Sequence, residues 1–191
     1  MRAIPTDVGS PEDASPYRKT SWPLGGLRRL AHRARLLKTA AGSHGQVTWG
    51  SHVAIARGSD IRPPHFCRVG HHVSFGKNFT CEADLEVGNY VLVSSNVSVI
   101  GKDHPFDDPN RTVFTQPRVD DSVVKIGSDV LIGYGTIIVG SVTIGDGCII
   151  GAGSVVVKDL PPYTVCVGNP ARPIRSRYPA NADLRMTRSE H

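Results

Sequence analysis

The chain is 191 residues long, with 39% hydrophobic and 20% charged residues, the balance of a soluble globular protein with one core. Its four cysteines, Cys67, Cys81, Cys148 and Cys166, form no C-x-x-C pair, which argues against a structural zinc site, and no apolar run approaches the 18 residues of a membrane span. Net charge is +5, with six basic side chains (one of them His) concentrated in residues 28–38, RRLAHRARLLK, and a cluster so local argues against a nucleic-acid surface along the whole chain.

Residues 1–23 are rich in Pro, Ser and charge and are expected to be loosely ordered. The opening MRAIPTDVGSPEDASPYRKT lacks the apolar stretch of a secretory leader, so the expectation is a cytoplasmic protein. Residues 24–43 read as an amphipathic helix, with Leu27, Leu30, Ala31, Ala34, Leu37 and Ala41 on one face and basic groups on the other. Two roles fit it: a cap on the end of a stacked core, which is preferred, or peripheral contact of residues 24–41 with an anionic membrane at its inner face.

Residues 44–164 follow a period of six, which is neither the helical 3.6 nor the strand 2. After a ragged start at Val47 and Val53, the frame runs Val69, Phe75, Cys81, Val87, Val93, Val99. It breaks, resumes at Ile126, and continues through Ile132, Ile138, Ile144 and Ile150 to Val156. The fifth residue of each early unit is also apolar: Val73, Phe79, Leu85, Val91, Val97. Val99 and Ile126 are 27 apart, not a multiple of six, so a loop is inserted, about 103–124: DHPFDDPNRTVFTQPRVDDSVV. After Val156 the prolines of KDLPPYTV are expected to end the frame; 165–178 is a closing segment and 179–191 a disordered tail.

A fixed short repeat rich in β-branched residues predicts an all-β solenoid, whose rungs bury their apolar edges only by stacking. Three six-residue units close one triangular rung, and backbone hydrogen bonds run between rungs about 4.8 Å apart. Gly127, Gly133, Gly145 and Gly151 follow the inward residue, where glycine tolerates unusual backbone angles and close approach. Cys148 falls inside the repeat and reads as a buried thiol, not a nucleophile.

Units 126–156 resemble those of the hexapeptide-repeat acyltransferases, which fold as a left-handed parallel β-helix. VVVKDLPPYTVCVGNPARPIR, 155–175, is similar to the closing segment of the sugar and xenobiotic (chloramphenicol-type) O-acetyltransferases of that family. The resemblance covers about residues 47–178. It implies a homotrimer with active sites between subunits, acetyl-CoA as acyl donor, and no metal. One departure is Leu131, where many relatives carry Trp.

Moving an acyl group from a thioester to a hydroxyl needs a base for the acceptor's proton, oxyanion stabilisation and alignment of both substrates. His104, in GKDHPFDD at the break in the frame, is suited to be the base, and the resemblance gives it that role. By the same resemblance Lys158, Arg172 and Arg175 bind coenzyme A, and Tyr134 and Ala152 line the pantetheine arm. Glu82, Asp84, Asp107 and Arg111 are candidate acceptor contacts, with Asp103 and Asp108 close by in sequence. The expected activity is transfer of acetyl to a hydroxyl of a sugar, one bound for a surface polysaccharide or glycolipid. Alternatives are an antibiotic O-acetyltransferase, an amino-sugar N-acyltransferase, a purely structural solenoid, or a zinc enzyme like γ-type carbonic anhydrase using His65, His71 and His72.

Overall fold

A computed structural model describes residues 34, 46–101, 104–116 and 121–179. Five three-sided rungs follow one another. The first holds β1 (Gln46–Trp49), β2 (Ala54–Ile55) and β3 (Asp60–Ile61); the second β4 (Phe66–Val69), β5 (Ser74–Phe75) and β6 (Thr80–Cys81). The third holds β7 (Asp84–Val87), β8 (Leu92–Val93) and β9 (Ser98–Ile100); the fourth β10 (Val123–Ile126), β11 (Leu131–Ile132) and β12 (Ile137–Val139). The fifth holds β13 (Val142–Ile144), β14 (Ile149–Ile150) and β15 (Val155–Val156), and β16 (Thr164–Val167) and β17 (Arg172–Ser176) close the coil. The strands stack into three faces: β1-β4-β7-β10-β13, then β2-β5-β8-β11-β14-β16 with β17 at its edge, then β3-β6-β9-β12-β15. Every ladder is parallel except β16 with β17.

Both apolar columns of the sequence point inward. Ile132, Ile138 and Ile144 have no exposed surface, and neither do Val73, Val91 and Val97 from the second column. Phe75 and Phe79 are both buried in this core, their rings 4.6 Å apart. The four cysteines join the same core. Burial pushes the Cys81 and Cys148 thiols up to about 12, and Cys67 further still. A thiol so shifted holds no useful thiolate at neutral pH, so the structural reading of Cys148 stands.

Two expectations change. The start is not ragged: β1, β2 and β3 form a full rung, offset by 20 residues from the next instead of the usual 18, because residues 62–65 add two positions at one corner. Nor do Pro161 and Pro162 end the coil, because β16 pairs with β14, Val165 opposite Ile149 and Cys166 opposite Ile150, before β17 turns back. The boundary expected at residue 164 therefore falls on the first residue of a strand. The helix of residues 24–43 lies outside the described residues except for Ala34, which is helical, and 1–23 and 180–191 also lie outside them.

The glycine after each inward residue serves close approach alone. A Cβ on Gly133 would lie 2.5 Å from the Ala152 backbone nitrogen of the next rung. Left-handed backbone falls two residues later, at Gly135, Gly147 and Gly153. In other rungs His52, His72, Tyr90, Asp129 and Tyr163 take that conformation at the first corner, with φ of 55° to 58°. Asn and Asp accept it readily; His52, His72 and Tyr90 do so here in a stacked column, His72 lying 4.5 Å from His52 and 4.9 Å from Tyr90.

Candidate active site

The corner between the third face and the first carries most of the predicted chemistry. It holds His65 before β4, Glu82 before β7, and the long insertion between β9 and β10. Val87 pairs with Ile126, 39 positions along where 18 would complete a rung, so the insertion leaves the coil and returns to the same stack. The turns at its root are kept. Glu82 N–H donates to the Val99 carbonyl and Asp84 N–H to the Ser122 carbonyl, each at 2.9 Å.

His104 sits half-buried at the start of the loop. Asp107 and Arg111 are exposed; Arg111 Nε lies 3.5 Å from Asp108 Oδ2, and Asp108 Oδ1 accepts from Asn110 N–H at 2.9 Å. A short 3-10 turn at Val113–Thr115 follows, and the loop presents Phe106 and Phe114 outward, 77% and 91% exposed. Asp103 lies outside the described residues. Glu82 is exposed on the same corner, one rung before.

Asp84 is not a solvated acceptor contact. It is 2% exposed, and its Oδ1 accepts from the backbone N–H of both His65 and Phe66 at 2.8 Å. Its Oδ2 lies 2.9 Å from His65 Nδ1. Burial works to raise its pKa, but the two backbone donors and His65 outweigh burial and hold the carboxyl below its ordinary value. His65 is shifted up by the Asp84 hydrogen bond first, then by the charges of Asp84 and Asp121. Asp84 therefore clamps one corner to the strand before it, and both of its oxygens are engaged.

The pH dependence follows from those two directions. The raised His65 contributes stability that is complete below its ordinary 6.5 and is lost as pH rises through its folded value. The depressed Asp84 contributes stability that is complete above its ordinary 3.8 and is lost as pH falls through its folded value. The pair should thus stabilise most between the two. A scan of Tm against pH should show a small decline above 6.5 in the wild type that His65→Gln lacks; parallel curves would show the pair to contribute nothing.

The three histidines of the zinc alternative do not converge. His65 is at the third corner, while His71 and His72 are at the first. His71 Nδ1 accepts from Ser51 N–H at 2.9 Å and lies 2.8 Å from Ser51 Oγ; His72 is stacked between His52 and Tyr90. Six positions of sequence carry a residue from one corner to the next, so the spacing of His65 and His71 separates them. Among the described residues no three His, Cys, Asp or Glu side chains gather as a metal site.

The remaining predicted residues lie at the second corner, on β17, or, for Lys158, at the third corner two rungs further along. Tyr134 and Ala152 are exposed one rung apart at the second corner. The Tyr134 hydroxyl accepts from Asn96 Nδ2, and its carbonyl accepts from Gly153 N–H at 2.7 Å. Arg172 and Arg175 are on β17, opposite Val167 and Val165. Lys158 is exposed just after β15. Among the described residues none of these three cations forms an ion pair with a carboxylate. An open groove on the first face, lined by Arg68, Glu86 and Lys125 among others, includes none of the predicted site residues.

Sequence reasoning missed two arrangements. One is the Asp84–His65 pair. The other is Arg177, whose guanidinium bonds Asp129 Oδ2 at 2.7 Å and the Asp129 and Gly147 carbonyls at 3.0 and 3.1 Å, pinning the end of β17. Their partners are 19 and 48 positions apart, and only the rung register brings them together.

A parallel β-helix on a six-residue frame, interrupted by one long corner loop, is the architecture of the hexapeptide-repeat transferases. Residues 124–158 match the family described as bacterial transferase hexapeptide (six repeats), and the fold is that of the left-handed β-helix acyltransferases. The chain is 40% identical over 124 residues to a Schizosaccharomyces pombe protein named as an acetyltransferase, covering 61% of this chain and 58% of that one. It is 34% identical over 126 residues to galactoside O-acetyltransferase of Escherichia coli, covering 60% and 59%. It thus spans less than two thirds of the length of these curated relatives. A hexapeptide-repeat acetyltransferase of Vibrio cholerae, solved with acetyl coenzyme A, superposes with a TM-score of 0.65 at 25% identity, covering 77% of this chain and 78% of that one.

Proposed function

We propose that the chain is an acetyl-CoA-dependent O-acetyltransferase that acetylates a hydroxyl of a sugar or glycan precursor, with His104 as general base. The observation that carries this reading is the single long insertion: it puts a half-buried histidine at a corner of a coil whose relatives include a galactoside O-acetyltransferase and a chain solved with acetyl coenzyme A. His104 takes the proton of the acceptor hydroxyl as its oxygen attacks the thioester carbonyl directly. The tetrahedral intermediate collapses, the C–S bond breaks, and coenzyme A leaves as thiol with the proton returned by His104.

The donor residues Tyr134 and Ala152 stand at the second corner and His104 at the third. That separation favours a homotrimer in which the base of one chain meets the coenzyme site of its neighbour. Phe106 and Phe114 in the loop, with Leu92, Leu131 and Ile137 on the flat faces, supply exposed apolar surface for such contacts. No helix among the described residues is long and apolar enough to cross a membrane. Dependence on acetyl-CoA suits a cytoplasmic site of action.

The test is to incubate the protein with acetyl-CoA and a panel of sugars, amino sugars and chloramphenicol, and to follow thiol release. A product labile to hydroxylamine is an ester, and a stable one an amide. Release with no acceptor in the panel above the background of hydrolysis overturns the reading. Neutralising Lys158, Arg172 or Arg175 tests the donor side. Loss of a direct charge-assisted contact is worth about 1.5–3 kcal/mol, so the KM for acetyl-CoA should rise roughly tenfold or more per residue while the acceptor KM holds. Unchanged donor KM in all three variants would make these residues a solvated basic edge.

A further inference from the structure

The corner beside the loop holds a pair of groups that the acetyl-transfer chemistry has not used. We propose that His65 and Asp121 form a two-pronged hydroxyl-binding site for the acceptor: one sugar hydroxyl accepts a hydrogen bond from His65 Nε2–H and donates one to an Asp121 carboxylate oxygen. This names how the acceptor is held and rests on the sugar-acceptor reading.

His65 comes from the corner before β4, and Asp121 stands where the long loop returns to β10. His65 Nε2 and Asp121 Oδ2 are 3.7 Å apart. That is beyond the range of about 2.7–3.2 Å for a direct N–H···O hydrogen bond. It leaves room for one oxygen at roughly 2.8 Å from both. A hydroxyl is donor and acceptor at once, as a cation–carboxylate pair at this spacing requires. A phosphate or carboxylate would meet the Asp121 charge, and an ammonium would offer His65 no lone pair.

The imidazole is also set in orientation. Its Nδ1 is 2.9 Å from Asp84 Oδ2, and the Asp84 carboxylate is itself fixed by two backbone N–H donors. The Nδ1–H therefore faces Asp84, and Nε2 is left to face outward. Two carboxylates, Asp84 and Asp121, flank the ring and favour its cationic form, in which Nε2 is a donor. Nearby Arg62 is paired with Asp60 at 2.8 Å, and Glu82 is exposed on the next turn of this corner. The His65 and Asp121 side chains are 66% and 54% exposed, so a sugar can reach them.

The experiment uses the full chain. Histidine ring resonances are followed by NMR during titration with methyl β-D-galactoside, methyl β-D-glucoside and the best acceptor of the thiol-release panel. At least one sugar should move the His65 resonance and leave that of His71 in place. Asp121→Ala, at an exposed position, and His65→Phe should each weaken that sugar's binding about tenfold, the effect of losing one hydrogen bond to a charged group. In turnover both should raise the acceptor KM about tenfold with kcat and donor KM within twofold, and Asp121→Asn, which keeps an acceptor oxygen, should recover most of the loss. If no sugar moves His65, or acceptor KM is unchanged in Asp121→Ala, the proposal is overturned. A sugar that moves His65 in a protein that transfers no acetyl group would uphold this site and sink the acetyltransferase reading. Efficient transfer with His65 indifferent to the acceptor would do the reverse.

Discussion

Replacing His104 with alanine is expected to lower acetyl transfer by about a hundredfold or more, since a positioned general base contributes roughly that factor or above. The coil should survive, because His104 lies in the inserted loop and pairs in none of the ladders. The loss should fall on kcat, with the donor KM little changed, since of the proposed donor residues Tyr134 and Ala152 stand at the second corner and Lys158 lies two rungs further along the coil. Circular dichroism and Tm should match the wild type, which separates lost chemistry from lost fold. Asp103, Asp107 and Asp108 are the nearest other carboxylates in sequence, and a carboxylate in water is a weak base at neutral pH. Wild-type turnover in the variant, with a working acceptor present, would remove His104 from the mechanism.

The second large effect is on stability. Phe79 is 1% exposed and packs against Phe75 in the interior of the prism. Phe79→Ala should destabilise by about 3–5 kcal/mol, from lost transfer energy plus the cavity left behind. The neighbours cannot close that cavity by sliding, because adjacent rungs are pinned by ladders on all three faces. Denaturant unfolding followed by circular dichroism measures it. A loss below 1 kcal/mol would mean that the core relaxes around the gap, contrary to the close rung contacts.

The scaffold was readable from sequence because its pattern is local. Each aliphatic residue from Ile126 to Val156 faces inward for the same reason as the one six positions before it, and no distant partner is needed to decide it. The first rung was harder, since the two added residues at 62–65 shift Val47 and Val53 out of the later frame although β1 and β2 pair normally with β4 and β5. The prolines at 161 and 162 misled for a different reason: they occupy a corner, where no ladder needs their N–H groups, and the coil passes through them.

Site residues were readable only as far as the loop. The break in the period exposed the place of His104, and family likeness supplied Lys158, Arg172, Arg175, Tyr134 and Ala152. Asp84 was misjudged because an acid at a corner looks solvated until the strand before it is known to offer two N–H donors. His65 was grouped with His71 and His72 because they are close in sequence, yet a three-sided coil puts residues six apart on different edges.

The loop root has a further consequence. Because Val123 falls into register with Asp84 whatever the path between, the coil registers only that the chain comes back, not how far it went. Lengthening such an excursion is cheap, about 0.6 kcal/mol of closure entropy for each doubling. The corner thus works as a socket: a different insert can be grafted between Ile100 and Val123 without asking the prism to change. Change can then accumulate at one address while the rungs on either side of it stay as they are.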